Sequence, residues 1–212
     1  KPIIGMEAYM ALKSHKDRQH RERNNHLTLL AKNETGYRNL VKLTSISYLD
    51  GYYYKPRIDR QLLEKYSEGL VVLSGCLHGE IASLLLDGKI AGAKDAAYFY
   101  KQLFKNDYYF ELMENGLPEQ ATVNKQLVAL GKELDIPLVA TNDCHYLKQE
   151  DALAHEILVC IGTASTLNDP KHMKFATDQF YYKSPQEMFS SFREVPDALK
   201  NTLLIAEKCN LE

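Results

Sequence analysis

The sequence contains no apolar run approaching the roughly 20 residues that a membrane-crossing helix needs, and no signal peptide. A membrane-spanning helix is excluded, and the expected location is the cytoplasm. Its four cysteines (Cys76, Cys144, Cys160 and Cys209) form no CxxC pair. That excludes a small disulfide scaffold and fits a reducing compartment, where thiols serve as core residues or ligands. No Gly-rich phosphate loop or Walker pattern occurs, and no internal repeat or low-complexity tract is visible. An initiator methionine is also missing, because Lys1-Pro2 leads straight into the apolar Ile3-Ile4. So abrupt a start raises the expectation that residues upstream have been removed.

What remains is an ordinary globular composition over 212 residues, 45% hydrophobic and 25% charged, with core enough for one large domain or two small ones. The formal charge of −2 conceals an asymmetry: residues 1–66 hold 13 Lys/Arg against 7 Asp/Glu, a net of +6 that leaves −8 for the remainder. A basic first third suits nucleic acid. It equally suits a solvated loop surface balanced by acidic helices.

Hydrophobic periodicity orders the chain. Ile3 to Met10 reads as a strand carrying Glu7, and a charged connection from Lys13 to Asn25 leads to a second strand, His26 to Ala31. Glu34 to Tyr48 is helical through Tyr37, Leu40, Val41, Leu43 and Ile46. An aromatic turn from Asp50 precedes a helix from Asp59 to Tyr66, then a buried-type strand, Gly69 to Cys76. Helices follow at Gly79–Leu86 and Ile90–Phe104, a strand at Tyr108–Met113, a helix at Glu119–Leu134 and a strand from Pro137. Alternating strands and helices predict parallel βα units, as a doubly wound sheet or a barrel. Beyond Asp151 the pattern becomes a helix, a loop, a short aromatic strand at Gln179–Lys183, and helices at Pro185–Phe192 and Val195–Cys209.

One stretch carries chemistry on its face. Pro137-Leu-Val-Ala-Thr-Asn-Asp143-Cys-His145-Tyr ends an apolar run in an acid and a histidine two positions apart. Strand side chains alternate, so these two point the same way and Cys144 the other. A carboxylate beside an imidazole suits a divalent metal. The plainer reading is a turn in which Asp143 binds backbone amides and His145 packs. Glu7, His26 and Cys76 also lie at or near strand ends, where functional groups of parallel α/β folds gather. His26 opens its strand, which fits if that strand runs antiparallel to the first. Taken alone, the cysteine reads more readily as a small core residue and Glu7 as a surface or strand-face charge.

Ile4-Gly5-Met6-Glu7, Asn25-His26-Leu-Thr-Leu-Leu-Ala, Leu73-Ser-Gly-Cys76, Ala140-Thr-Asn-Asp143-Cys-His145-Tyr and Gln179-Phe-Tyr-Tyr-Lys-Ser-Pro together resemble the PHP (polymerase and histidinol phosphatase) domain. The resemblance is narrowest to the branch carried by bacterial replicative polymerase alpha subunits. It runs through Gly36-Tyr-Arg-Asn-Leu-Val-Lys-Leu and Glu111-Leu-Met-Glu-Asn-Gly-Leu-Pro-Glu-Gln to Glu194-Val-Pro and Ala206-Glu-Lys-Cys-Asn-Leu-Glu, covering the chain in order. It implies an α/β fold, a distorted (β/α)7 TIM-like barrel truncated at its N-terminus, with a C-terminal helical extension toward a palm domain. Residues 1–160 would form the barrel and 161–212 its end and connection.

The resemblance also implies a cluster of divalent metal (Zn, Mn or Fe) held by Glu7, His26, Cys76, Asp143 and His145, with Glu7, Asp143 and His145 catalytic. The cysteine, standing where many relatives have histidine, favours zinc or another softer metal. The family's first motif, a His-x-His pair, is absent, and His15, His20, His78, His155 and His172 lack the spacing to replace it. His78, two residues past Cys76, reads as a surface group or a neighbour of the ligands. The implied activity is metal-dependent phosphoester hydrolysis, removing a 3′ nucleotide or splitting pyrophosphate, with only partial metal occupancy and little activity expected of this segment alone. The alternatives are a non-catalytic scaffold and a free-standing phosphatase. Implied partners are DNA, the palm and thumb of a polymerase, replisome subunits and a proofreading exonuclease, with no membrane. Arg18, Arg21, Arg23, Lys55, Arg57 and Arg60, with Tyr52–Tyr54, form a candidate DNA-contacting patch; Tyr-rich turns also pack on neighbouring domains.

Overall fold

The computed structural model describes residues 1–19 and 23–212. Among these residues six strands form one sheet in the order β3-β1-β2-β4-β5-β6. They are β1 (Gly5–Met10), β2 (Asn25–Ala31), β3 (Arg57–Ile58), β4 (Leu70–Leu73), β5 (Tyr108–Leu112) and β6 (Leu138–Ala140). β2 runs antiparallel to both β1 and β4, while β1 pairs parallel with β3, and β4, β5 and β6 pair parallel in turn. The antiparallel return expected for His26 is therefore present. Among the described residues β3 and β6 end the sheet without pairing to each other, so the mixed α/β class holds while a closed seven-unit barrel is not seen.

Alternation along β2 explains the two faces. Asn25, Leu27, Leu29 and Ala31 are buried on one side, which places His26 and Thr28 on the other. Register carries that second face across the sheet: Glu7 lies opposite Thr28, Thr28 opposite Leu73, Leu73 opposite Tyr109, and Glu111 opposite Val139.

The first face is covered by α1 (Glu34–Leu49), α2 (Arg60–Lys65), α3 (Glu80–Leu86), α4 (Ile90–Phe104) and α5 (Pro118–Leu134), around a core that includes Leu29, Leu43, Ile81, Tyr100, Tyr108, Phe110 and Leu127. A smaller core on the second face joins Val71, Leu73, Tyr109 and Val139 to Ile205 and Cys209. Ile205 comes from α8 (Pro196–Lys208), which follows α6 (Ala152–Gly162) and α7 (Pro185–Ser191). Among the described residues no helix is long and apolar enough to cross a membrane.

Two sequence expectations are corrected. The aromatic segment at Gln179–Lys183 makes an isolated bridge, Tyr146 to Tyr181, and among the described residues no neighbouring strand continues it into a ladder. Conversely, β3 lies at the end of the aromatic turn, where two residues are too few to show a period.

A buried carboxyl ties β3 and α2 to the loop after β1. Asp59 caps α2 by accepting the Leu62 N–H at 3.0 Å, and its Oδ2 lies 2.9 Å from the His15 N–H and 2.5 Å from His15 Nδ1. Burial pushes this carboxyl up, but the His15 and Leu62 hydrogen bonds bring it below its ordinary 3.8. A carboxyl depressed in the fold contributes stability above its ordinary value and loses it as pH falls through the folded value. Asp59→Ala is therefore expected to cost about 1–2 kcal/mol at neutral pH from the lost cap alone. In denaturant titrations the deficit should shrink below about pH 4.

Candidate metal centre

Several chain segments converge on one cavity of about 450 Å³. Its lining includes all five sequence-predicted residues, Glu7, His26, Cys76, Asp143 and His145, together with His78. Glu7 sits within β1 rather than at its end, and reaches diagonally across the antiparallel pair so that Oε1 lies 3.3 Å from His26 Nδ1. The same His26 nitrogen lies 3.6 Å from Cys76 Sγ.

Cys76 is delivered by the turn after β4. Gly75 has φ of +84°, and a Cβ there would stand 2.7 Å from the His26 carbonyl oxygen. Only glycine combines that backbone conformation with so close an approach. The turn then closes through the Gly79 N–H donating to the Cys76 carbonyl at 2.8 Å, and α3 begins.

His78 is drawn in by the same turn. Its carbonyl accepts the His26 N–H at 3.0 Å, its ring stacks on His26 at 5.3 Å, and its Nδ1 is 3.9 Å from Cys76 Sγ. Cys-x-His spacing was the available signal. That spacing becomes meaningful only when the turn folds both side chains toward His26.

Asp143 and His145 lie past the end of β6, in a loop held by the His145 N–H donating to the Phe180 carbonyl at 2.8 Å. Asp143 Oδ1 is 3.3 Å from His145 Nε2. The imidazole packs against Phe175 at 4.7 Å and Phe180 at 5.6 Å, with His155 at 5.5 Å. The pair faces together, though by loop geometry and not by strand alternation.

Burial pushes the Cys76 thiol up to about 11, and Glu7, Asp143 and Glu111 push in the same direction while the His78 N–H opposes. Burial, with His26 and Arg23, holds His78 below its ordinary value and so favours the neutral ring that ligates metals. The His26, Cys76 and His78 donors fit a divalent transition metal. Nitrogen and sulfur ligands bonded at about 2.1 and 2.3 Å in a tetrahedron stand about 3.6 Å apart. Donor atoms of His26, Cys76 and His78 all lie within 4.8 Å of one another.

The candidate DNA patch is only partly available. Arg57 is 3% exposed, and its guanidinium donates to the carbonyls of Gly51, His15 and Asp17. Arg60 pairs with Glu80 at 2.7 Å and lies over the Phe99 ring. Arg18, Arg23 and Lys55 remain near the surface beside exposed Tyr52 and Tyr54. Arg21 and His20 fall outside the described residues. Of the remaining histidines, His15 pairs with Asp59 and His172 with Glu156.

Residues 1–115 match the sequence model of the family described as PHP domain. The DNA polymerase III subunit alpha of Borreliella burgdorferi is 50% identical over 99% of this chain and 19% of its own length. Those of Campylobacter jejuni and Thermus aquaticus are 45% and 42% identical over all of this chain and 18% of their own lengths. The chain thus spans about a fifth of the length of the curated relatives it matches.

Proposed function

The chain belongs to the PHP domain family, and from that premise we propose that its cavity is a metal-dependent phosphoesterase site within a replicative DNA polymerase. The carrying observation is the convergence of Glu7, His26, Cys76, Asp143 and His145 from separate segments onto one cavity. On this reading the sheet is an arc of a PHP-type barrel and residues 161–212 lead toward a palm domain. The substrate is a phosphodiester at a DNA 3′ end.

Glu7, His26, Cys76, Asp143 and His145 would hold the metal, and His78 is placed to join them. When bound, such a metal acidifies a water and polarises a phosphoryl oxygen. Asp143 Oδ1 and His145 Nε2, 3.3 Å apart, would present neighbouring oxygen and nitrogen donors to that metal. With Glu7 they would orient the attacking water. Lys174 on the cavity wall supplies a cation for phosphate. Metal analysis of the full-length protein, with an assay of 3′ excision on labelled DNA, tests the reading. At least one tightly held equivalent and metal-dependent excision are expected; absence of both would overturn it.

Affinity should also depend on pH with a definite sign. Metal binds the thiolate, and the free thiol of Cys76 is pushed up to about 11. Binding therefore expels a proton, and affinity should rise about tenfold per pH unit between about pH 7 and 9. Chelator competition measures the slope, which Cys76→Ser should flatten.

A docking role is favoured by a separate observation. On α6 only Cys160 is buried, and Leu153, Ile157, Leu158 and Ile161 are exposed. Such a face suits packing against other polymerase domains or a proofreading exonuclease.

A further inference from the structure

Glu111 takes no part in the chemistry above, yet it lies beneath the cavity and touches three of the segments that build it. It is 4% exposed, and among the described residues no ion pair includes it. Its oxygens are filled instead by donors from different parts of the sheet. Oε2 accepts the Gly75 N–H at 3.1 Å and the Thr28 hydroxyl at 3.3 Å, and Oε1 accepts the Thr141 hydroxyl at 2.7 Å. Its own N–H donates to Ser74 Oγ at 2.9 Å.

Each donor is close in sequence to a cavity residue. Gly75 precedes Cys76, Thr28 follows His26 by two on the same strand face, and Thr141 precedes Asp143 by two. A carboxylate buried without a cation is costly, and tolerable only when hydrogen bonds fill its lone pairs. Its position is justified by what it joins.

We propose that Glu111 is a positioning residue, a buried carboxylate knot that locks the segments bearing His26, Cys76 and Asp143 into the spacing a divalent metal requires. The proposal rests on the metal-site reading given above. Burial, with a smaller push from Asp143, holds the Glu111 carboxyl above its ordinary value even though the Thr141, Thr28 and Gly75 donors oppose it.

Cobalt(II), added to metal-stripped full-length protein, reports both affinity and geometry through its thiolate charge-transfer absorption. Glu111→Ala is expected to weaken cobalt binding about 10- to 100-fold and to alter the band, as loss of a group that orients ligands does. Glu111→Gln should recover most of the loss. Its amide oxygen can accept the Gly75 N–H while its NH2 donates to a reversed Thr141 hydroxyl. Asp59→Ala, which removes an equally buried carboxyl bound to His15, should lower stability and leave cobalt binding unchanged.

An altered band in Glu111→Ala with rescue by Gln supports the proposal. Parental affinity and band in Glu111→Ala overturn it, as does an equal loss in Asp59→Ala, which would mean general destabilisation. Should Glu111→Ala not fold, Thr141→Val cuts only the tie to the Asp143 loop, and parental behaviour there overturns the proposal as well. No thiolate band in the parent protein overturns the metal-site reading, and positioning with it.

Discussion

Replacing Asp143 by Asn together with His145 by Ala is expected to lower metal affinity by ~100-fold or more and to abolish metal-dependent 3′ excision, with the fold retained. Both side chains lie on the loop beyond β6, each about one-third exposed (35% and 37%). The sheet does not depend on them, because the Thr141 N–H already closes the β5–β6 ladder on the Leu112 carbonyl at 2.9 Å. Their proposed contribution is to the metal. Apparent binding free energies of about 10–16 kcal/mol shared over about four ligands give about 2.5–4 kcal/mol for each, or roughly 70- to 900-fold. Metal content after dialysis and release of the labelled 3′ nucleotide are the two readouts. Unchanged metal and unchanged excision in a folded double variant would sink the catalytic reading.

Phe110→Ala is expected to destabilise the protein by about 3–5 kcal/mol, the range for emptying a large aromatic site in a packed core. Phe110 is fully buried on β5 and meets Tyr108 edge-on at 5.8 Å between ring centroids. The opposing surface is the backbone of α5 at Gly131, where even a Cβ would lie 3.6 Å from the Phe110 ring. A glycine has no side chain to move into the vacated space, so the cavity persists. Chemical denaturation measures the loss. Val41→Ala, at a half-exposed position on α1, should change stability by no more than about 0.5 kcal/mol. Similar effects at both positions would refute this account of the core.

Long periodic segments were legible from the sequence because local physics decides them. Helix α4 runs from Ile90 to Phe104 as read, and α1 begins at Glu34, where Asn33 caps the Gly36 N–H. Of the residues that signalled α1, Leu40 and Leu43 are buried while Tyr37 and Val41 are exposed, since periodicity marks a face more broadly than packing uses it. Short elements were not legible. β3 has two residues, and the aromatic segment near Phe180 forms an isolated bridge rather than a ladder.

Charge misled in a similar way. Arg57 reads as a surface cation beside tyrosines, yet three backbone carbonyls surround it. Nothing local in the sequence announces that the loop after β1 folds back over it.

The sequence by itself determined the α/β class, the family, and which acid, histidine and cysteine positions to examine. Those follow from hydrophobic period and from residue types at motif spacing. Only the tertiary structure decided that Glu7 and His26 meet across an antiparallel pair, that His78 stacks beside Cys76, and that Glu111 joins three segments under the cavity. Each depends on strand register, on the positive φ at Gly75, or on hydrogen bonds between groups 30 to 83 positions apart. Such contacts form only once the sheet assembles, because each local segment alone is too short to hold its end of them.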